Sequence, residues 1–182
     1  MKIRSISCFV NANPDGSIPD IESAAKVSAR GNELFMQAGI EIQSSRLATQ
    51  PFTSYFPHDK RLAAALARHM ELSVQASGFT YLSLGPVNTE AGWAYACIPE
   101  ILTGTVNVFC TGIIADLTQG ISLPAARACA EVIARCTPID PAGFTNLRFA
   151  ALANVPPHSP FFPAAYHDGG KPGFSLAMEC AD

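Results

Sequence analysis

Residues 79–84, 106–114 and 147–155 are mainly apolar stretches without strict alternation, and segments with helical rhythm separate them. Strands of a parallel sheet, buried on both faces, read in this way, whereas strands of a half-solvated antiparallel sheet alternate apolar with polar. Strand, helix, strand, helix in series is the pattern of crossover units. The sequence therefore predicts an α/β protein with a mostly parallel sheet and crossover helices.

The remaining segments fit that frame. Residues 3–10 put Ile6, Cys8 and Val10 on one side of a first strand. Turn formers from Asn11 to Gly16 follow, and Asp20 stands where an N-cap is wanted. The helix after it carries Ala24, Val27, Gly31, Leu34 and Phe35 on one side and ends at Gly39, a residue suited to a left-handed cap. Residues 40–48 read as a second strand. A helix from Asp59 to Ala76 has Leu62, Leu66, His69, Met70 and Ser73 in phase. Pro99 opens a short helix, residues 105–113 form a strand, and Ser122 caps a helix with Pro124 in its first turn. Residues 146–155 form another strand. The loop from Pro156 to Pro172 holds five of the fourteen prolines. Residues 173–177 make a last strand, and a helix is expected to begin at Met178.

Length and composition narrow the function classes. A chain of 182 residues is expected to form a single α/β domain, 1–182, with a core that needs no disulfide or metal. Charged residues make up 15%, against about 25% in an average globular protein, which suggests apolar surface covered by a partner or by further chain. The net charge of −3 offers no basic footprint for nucleic acid. No apolar run reaches the length of about 20 residues that a membrane span requires, and no signal-peptide core follows Met1-Lys2-Ile3-Arg4. The six cysteines lie at spacings that match neither a disulfide framework nor a zinc pattern, so reduced thiols in a cytoplasmic protein are expected.

Three stretches carry a resemblance. They are Met1 to Asn11; Cys97-Ile98-Pro99-Glu100-Ile101-Leu102 with Val106 to Thr111 and Gly120-Ile121-Ser122-Leu123; and Arg148 to Val155 with Ser159 to His167. Together they resemble the domain-of-unknown-function 711 family, an uncharacterised bacterial and archaeal group. The resemblance implies a fold like that of pyruvate formate-lyase, an α/β barrel assembled from two half-barrels of parallel strands. It does not imply glycyl-radical chemistry, because no such loop is present in this chain. Members usually continue past the length seen here, so the chain is expected to be the N-terminal half of a larger barrel. A half-barrel leaves two open sheet edges. A missing C-terminal half, a second chain or a homo-oligomer is therefore expected to complete it.

Candidate chemistry clusters after the strands, where parallel sheets place their sites. Cys110 is a candidate catalytic thiol, with a buried core thiol as the alternative. The Asn154–Gly170 loop brings Asn154 and His158 as binding candidates and His167 as an acid or base. Neighbouring side chains diverge, so His167 is expected to take its orienting partner from somewhere other than Asp168. Glu179, with Asp182 one helical turn on, is a candidate base or merely a first-turn acid. Arg46, taken as the end of the second strand, offers a fork for a carboxylate or phosphate. Arg148 reads more simply as a salt-bridged strand residue, and Asp116 has the position for a site as well as for a helix-side cap.

No GxxxxGK[ST], GxGxxG, HExxH or GxSxG pattern occurs, and no cofactor is named by the sequence. No metal is assigned, a site drawn from His158, His167 or Glu179 being the weakest of the readings. The leading expectation is an enzyme acting on a small polar metabolite at the C-terminal mouth of the sheet. The alternative is a non-catalytic binding or assembly module that completes its barrel with a second chain or segment.

Overall fold

The computed structural model describes residues 2–88 and 91–180. In chain order its elements are β1 (Lys2–Phe9), α1 (Ile21–Gln37), β2 (Ser45–Pro51), α2 (Lys60–Ala76), β3 (Tyr81–Gly85), the single turn α3 (Gly92–Tyr95) and α4 (Ile98–Gly104). β4 (Val108–Asp116), β5 (Gly120–Ile121), α5 (Leu123–Cys136), β6 (Phe149–Ala153) and β7 (Gly173–Glu179) follow. Short 3-10 turns occupy Phe52–Ser54, Thr137–Ile139 and Phe144–Arg148.

All seven strands join one sheet. β1–β2, β2–β3, β3–β4 and β4–β6 are parallel, with Ile6 beside Ser45, Leu47 beside Leu82, Leu82 beside Val108 and Cys110 beside Phe149. β7 runs antiparallel to β1, placing Gly173 opposite Phe9 and Glu179 opposite Lys2. β5 folds back on the end of β4, where Asp116 Oδ1 accepts from the N–H groups of Thr118 and Gln119 in the turn. Across the sheet the order is thus β7-β1-β2-β3-β4-β6.

That order has a consequence for the two faces. Right-handed crossovers that keep stepping in one direction deliver their helices to the same face. Ala24 of α1, Met70 of α2, Ile101 of α4 and Val132 of α5 share one core with Ile6, Leu47, Leu82 and Val108. The alanines Ala63 and Ala67 let α2 approach the sheet closely, both with no exposed surface. Among the described residues no helix covers the opposite face, which carries Ser5, Ser7, Phe9, Ala48, Ser83 and Phe109. The 154–172 loop lies on it instead, through Ala165 and Phe162 packed on Phe9 and Ala48 and Phe162 edge-on to Phe109.

Most sequence signals for helix ends hold. Asp59 accepts from the N–H groups of Arg61 and Leu62, Ser122 from that of Ala125, and Gly39 and Gly78 take φ of 73° and 91°. Asp20 precedes α1, but its side chain makes no cap bond. The inner face of α2 is Ala63, Ala67, Met70, Glu71 and Val74, one residue out of phase with the expected stripe, which leaves Leu62 60% exposed. Strand boundaries shift too: residues 40–44 contribute only a bridge at Ile42, and the 146–155 run forms a strand only over β6. The helix expected from Met178 does not exist as far as Cys180, since Met178 and Glu179 belong to β7 and pair with β1. Backbone pairing to an open edge outweighs the helical preference of that segment. No helix among the described residues is long and apolar enough to cross a membrane.

Candidate functional site

The 154–172 loop begins where β6 ends. Asn154 takes φ 54°, a left-handed turn that asparagine tolerates, and its N–H donates to the Ala115 carbonyl at 3.0 Å. From there the chain crosses onto the helix-free face. Hydroxyls of the sheet take the loop's carbonyls: Ser7 Oγ donates to Pro160 at 3.0 Å, Ser83 Oγ to Ala165 at 2.7 Å and Ser175 Oγ to His158 at 3.0 Å. The N–H of His167 donates to the Thr49 carbonyl at 3.0 Å, and Asn11 Nδ2 donates to Gly170 O at 3.1 Å. Small polar residues inside an otherwise apolar sheet thus satisfy the backbone of an irregular loop, as buried polar groups must.

This anchoring brings two histidines and a carboxylate together. His158, held at φ 64°, donates its N–H to Tyr166 O at 2.8 Å and packs its ring edge-on to Phe9 at 5.0 Å. His158 Nε2 lies 2.9 Å from His167 Nδ1. Asp168 Oδ1 is 3.4 Å from His167 Nδ1 and 3.6 Å from His158 Nε2. His167 has no exposed surface, while the side chains of His158 and Asp168 are 40% and 47% exposed, so the group opens to one side. Burial holds the His167 pKa below its ordinary value. The N–H of Gly170, donating to Asp168 Oδ1 at 2.8 Å, holds that carboxyl below the usual range. At neutral pH the cluster is therefore a carboxylate with a neutral His167 imidazole. His167 Nε2 is buried and makes no hydrogen bond to a described residue.

The adjacent pair His167-Asp168 corrects the expectation that their side chains diverge. A strand's alternation would separate them, but this segment is an irregular loop, and the Gly169-Gly170 turn brings the carboxylate back toward the ring. Asp168 is the site member that the sequence reading did not single out. Its signal was present in the Asp-Gly-Gly turn, an Asx-type bend that fixes where the carboxylate points.

The other candidates are dispersed. Arg46 sits at the start of β2, not at its end, beside Ser7 and Tyr81. Its guanidinium lies 5.3 Å from the Phe162 ring and 5.7 Å from that of Tyr81, and Nε donates to Ser44 Oγ at 2.9 Å. The terminal nitrogens make no hydrogen bond to a described residue. Three residues separate Arg46 from Thr49, or about 10 Å along the strand. The contact with Phe162 places Arg46 on the same face as the histidines, at some distance from them.

Cys110 is the third residue of β4, away from its C-terminal end, and points into the helix-side core. Burial drives its thiol pKa strongly upward. Glu179 pairs with Lys2, six residues along β7 from the end that meets Phe9, or about 20 Å away. Neither meets the histidines. Asp182, its expected partner, lies outside the described residues. Arg148 makes no salt bridge to a described residue: it donates to the carbonyls of Leu102 at 2.6 Å and Thr105 at 2.9 Å.

Comparison with known proteins agrees with the sequence resemblance. Residues 1–182 match the family described as Uncharacterised ACR (DUF711). The UPF0210 protein of Pyrobaculum islandicum is 30% identical over 142 residues, covering 74% of this chain and 31% of that protein. The UPF0210 protein of Acetivibrio thermocellus is 25% identical over 158 residues, covering 82% and 35%. That of Methanopyrus kandleri is 24% identical over 195 residues, covering 94% and 43%. The chain spans roughly a third to two-fifths of the length of these relatives. With a match along its whole length, this chain belongs to the uncharacterised DUF711 family.

Proposed function

We propose that the chain supplies one wall of an enzyme site for a small polar metabolite, set on the helix-free face near the C-terminal ends of β1, β2 and β3. The observation that carries the reading is the His158–His167 contact of 2.9 Å on a loop bolted to that face by Ser7, Ser83 and Ser175. Two imidazoles in hydrogen-bond reach can pass a proton between them, and histidine is the side chain whose ordinary pKa suits that role near neutrality. Arg46, with terminal nitrogens uncommitted among described residues, is the group to hold a carboxylate or phosphate on the substrate. Asn154 acts through its backbone, turning the loop onto the face.

The singly wound order and the helices on one face are what a segment of an α/β barrel needs, its inner wall being the face that carries the loop. On this reading the chain is the N-terminal half of a pyruvate formate-lyase-like barrel, placed in the cytoplasm, and the remainder of a longer protein or a second copy closes the inner wall. The test is a thermal-shift and turnover screen against small carboxylates and phosphates, run beside Arg46→Gln and His158→Asn. A hit that both variants lose is the expected result. No hit in either assay, or hits kept by both variants, overturns the proposal.

A second reading, a binding or assembly module, has one observation of its own. Val27 and Leu34 of α1 are 44% and 48% exposed, and with Phe174 of β7 they line an apolar groove of about 670 Å³. Turnover by the isolated chain would exclude that reading as the whole account.

A further inference from the structure

We propose that His158 Nε2, His167 Nδ1 and Asp168 Oδ1 form a binding site for one divalent transition-metal ion, of which Zn²⁺ is the best fit. Their mutual separations are 2.9, 3.4 and 3.6 Å. A tetrahedral cation with bonds of about 2.0–2.1 Å has ligand-to-ligand edges of about 3.3 Å, and an octahedral one has edges of about 2.9 Å. The observed triangle averages to the tetrahedral edge, so a cation fits above it with shifts of a few tenths of an ångström. Two imidazoles and a carboxylate on one side, with open positions opposite, is the donor set of catalytic zinc and of non-haem iron.

Chemistry at each atom supports the site. Two ring nitrogens face one another at 2.9 Å, an arrangement that without a cation needs a proton between them. His167 Nδ1 and Asp168 Oδ1 stand 3.4 Å apart and each reaches His158 Nε2 within 3.6 Å, so all three donor atoms can serve one ion. The N–H of Gly170 holds Asp168 Oδ1 from behind at 2.8 Å, the outer-shell support that ligating carboxylates usually have. Phe9 against the His158 ring, and the bonds that fix both ends of the His158 peptide, set that ring in place before any metal arrives. The exposed side of His158 and Asp168 leaves room for a water or a substrate oxygen as a further ligand. A bound cation there would lower the pKa of such a water toward neutrality.

The inference deepens the site proposed above and rests on the same loop, but metal binding is read without any substrate. Metal-stripped chain is titrated with Zn²⁺ by calorimetry and with Co²⁺ by visible absorption, beside His158→Ala and Asp168→Asn, both at partly exposed positions that should not endanger folding. His69→Ala and Cys180→Ser serve as controls for surface binding, since both residues are exposed. The expected result is one equivalent of Zn²⁺, an intense tetrahedral-type Co²⁺ spectrum, and at least about 100-fold weaker binding in each site variant, above the 10–100-fold typical of a group that only orients a ligand. The controls should bind as the parent does. No stoichiometric binding, or affinity equal in parent and site variants, overturns the inference. A chain that binds no cation yet still holds an anion through Arg46 overturns this inference and leaves the metabolite site standing.

Discussion

The Glu71 carboxylate on α2 accepts the backbone N–H of Val106 at 2.8 Å, in the segment that feeds β4. The same oxygen takes the N–H of Asn107, and Arg68 donates to the other oxygen. Glu71 is 1% exposed, so its charge is buried and fully engaged. Hydrogen bonds to a charged group contribute about 1.5–3 kcal/mol each, and both backbone N–H groups lose theirs with the carboxylate, while Arg68, 47% exposed, returns to solvent. Glu71→Ala should therefore lower unfolding stability by about 3 kcal/mol in urea titration. Glu71→Gln, which keeps an acceptor, should cost about half as much. Equal stability of parent and Glu71→Ala would contradict the carboxylate's role as the latch of that segment.

Arg148 does for the other end of the same segment what Glu71 does for its N–H groups. Its guanidinium donates to the carbonyls of Leu102 and Thr105, which the end of α4 leaves without helical partners. The fork geometry reaches two carbonyls at once, and a lysine ammonium on a flexible stem does not reproduce it. Hydrogen bonds from a charged donor contribute about 1.5–3 kcal/mol each. Arg148→Met should cost about 2–4 kcal/mol, and Arg148→Lys should recover less than half of that loss. Full recovery by lysine would show that charge alone matters there.

How far the sequence reaches can be seen in these residues. Apolar runs gave the parallel strands, and Asp59, Ser122, Gly39 and Gly78 gave the helix ends, because those signals are local and follow from backbone geometry. The phase of α2 was missed for a non-local reason. Glu71 turns inward to meet Val106 and Asn107, which rotates the buried stripe onto Ala63, Ala67 and Val74. β7 was expected only as far as Ala177, and its last two residues were missed in the same way: nothing near Met178 announces that β1 needs a partner on its open side. For the candidate site, the loop and both histidines were legible from its length, its prolines and its place after a strand. Asp168 was passed over although the Asp-Gly-Gly turn signals its bend, because that signal fixes a local turn and not which side chain the carboxylate meets. Cys110 and Glu179 were drawn in by position along the chain, but strand alternation sends one to the helix side and pairing sends the other to the far rim.

Gly85 marks where β2 and β3 draw together. Pro51 pairs with Gly85 across a shift in register, and a Cβ on Gly85 would run into the Gln50 carbonyl and the Pro51 nitrogen. Those are backbone atoms of a neighbouring strand, so the clash cannot be relieved by a rotamer change. Overpacking of this kind costs about 1–3 kcal/mol, and more where backbone must move. Gly85→Ala should fall at or above the upper end of that range. Because Gln50 also bonds the backbone of Ala12 through its side chain, at 2.9 Å to the N–H and 2.7 Å to the carbonyl, the variant should loosen the 11–16 loop as well. Hydrogen exchange at the Ala12 N–H reads that coupling directly. Unchanged exchange there would separate the two loops.

Thiol reactivity gives the last check, and it bears on Cys110. Five of the six cysteines are buried and Cys180 is exposed. The thiolate is the reactive form, and burial in apolar surroundings disfavours it. Cys8 is pushed up to about 11 by desolvation, and Cys110 is raised further still, chiefly by desolvation. In native protein at neutral pH, a chromogenic disulfide reagent should therefore titrate one thiol quickly and the remaining five only after denaturant is added. Cys180→Ser should abolish the fast phase. A fast phase that survives in Cys180→Ser and disappears in Cys110→Ala would place an accessible, activated thiol on β4, and the helix-side core would then have to open in solution to expose it.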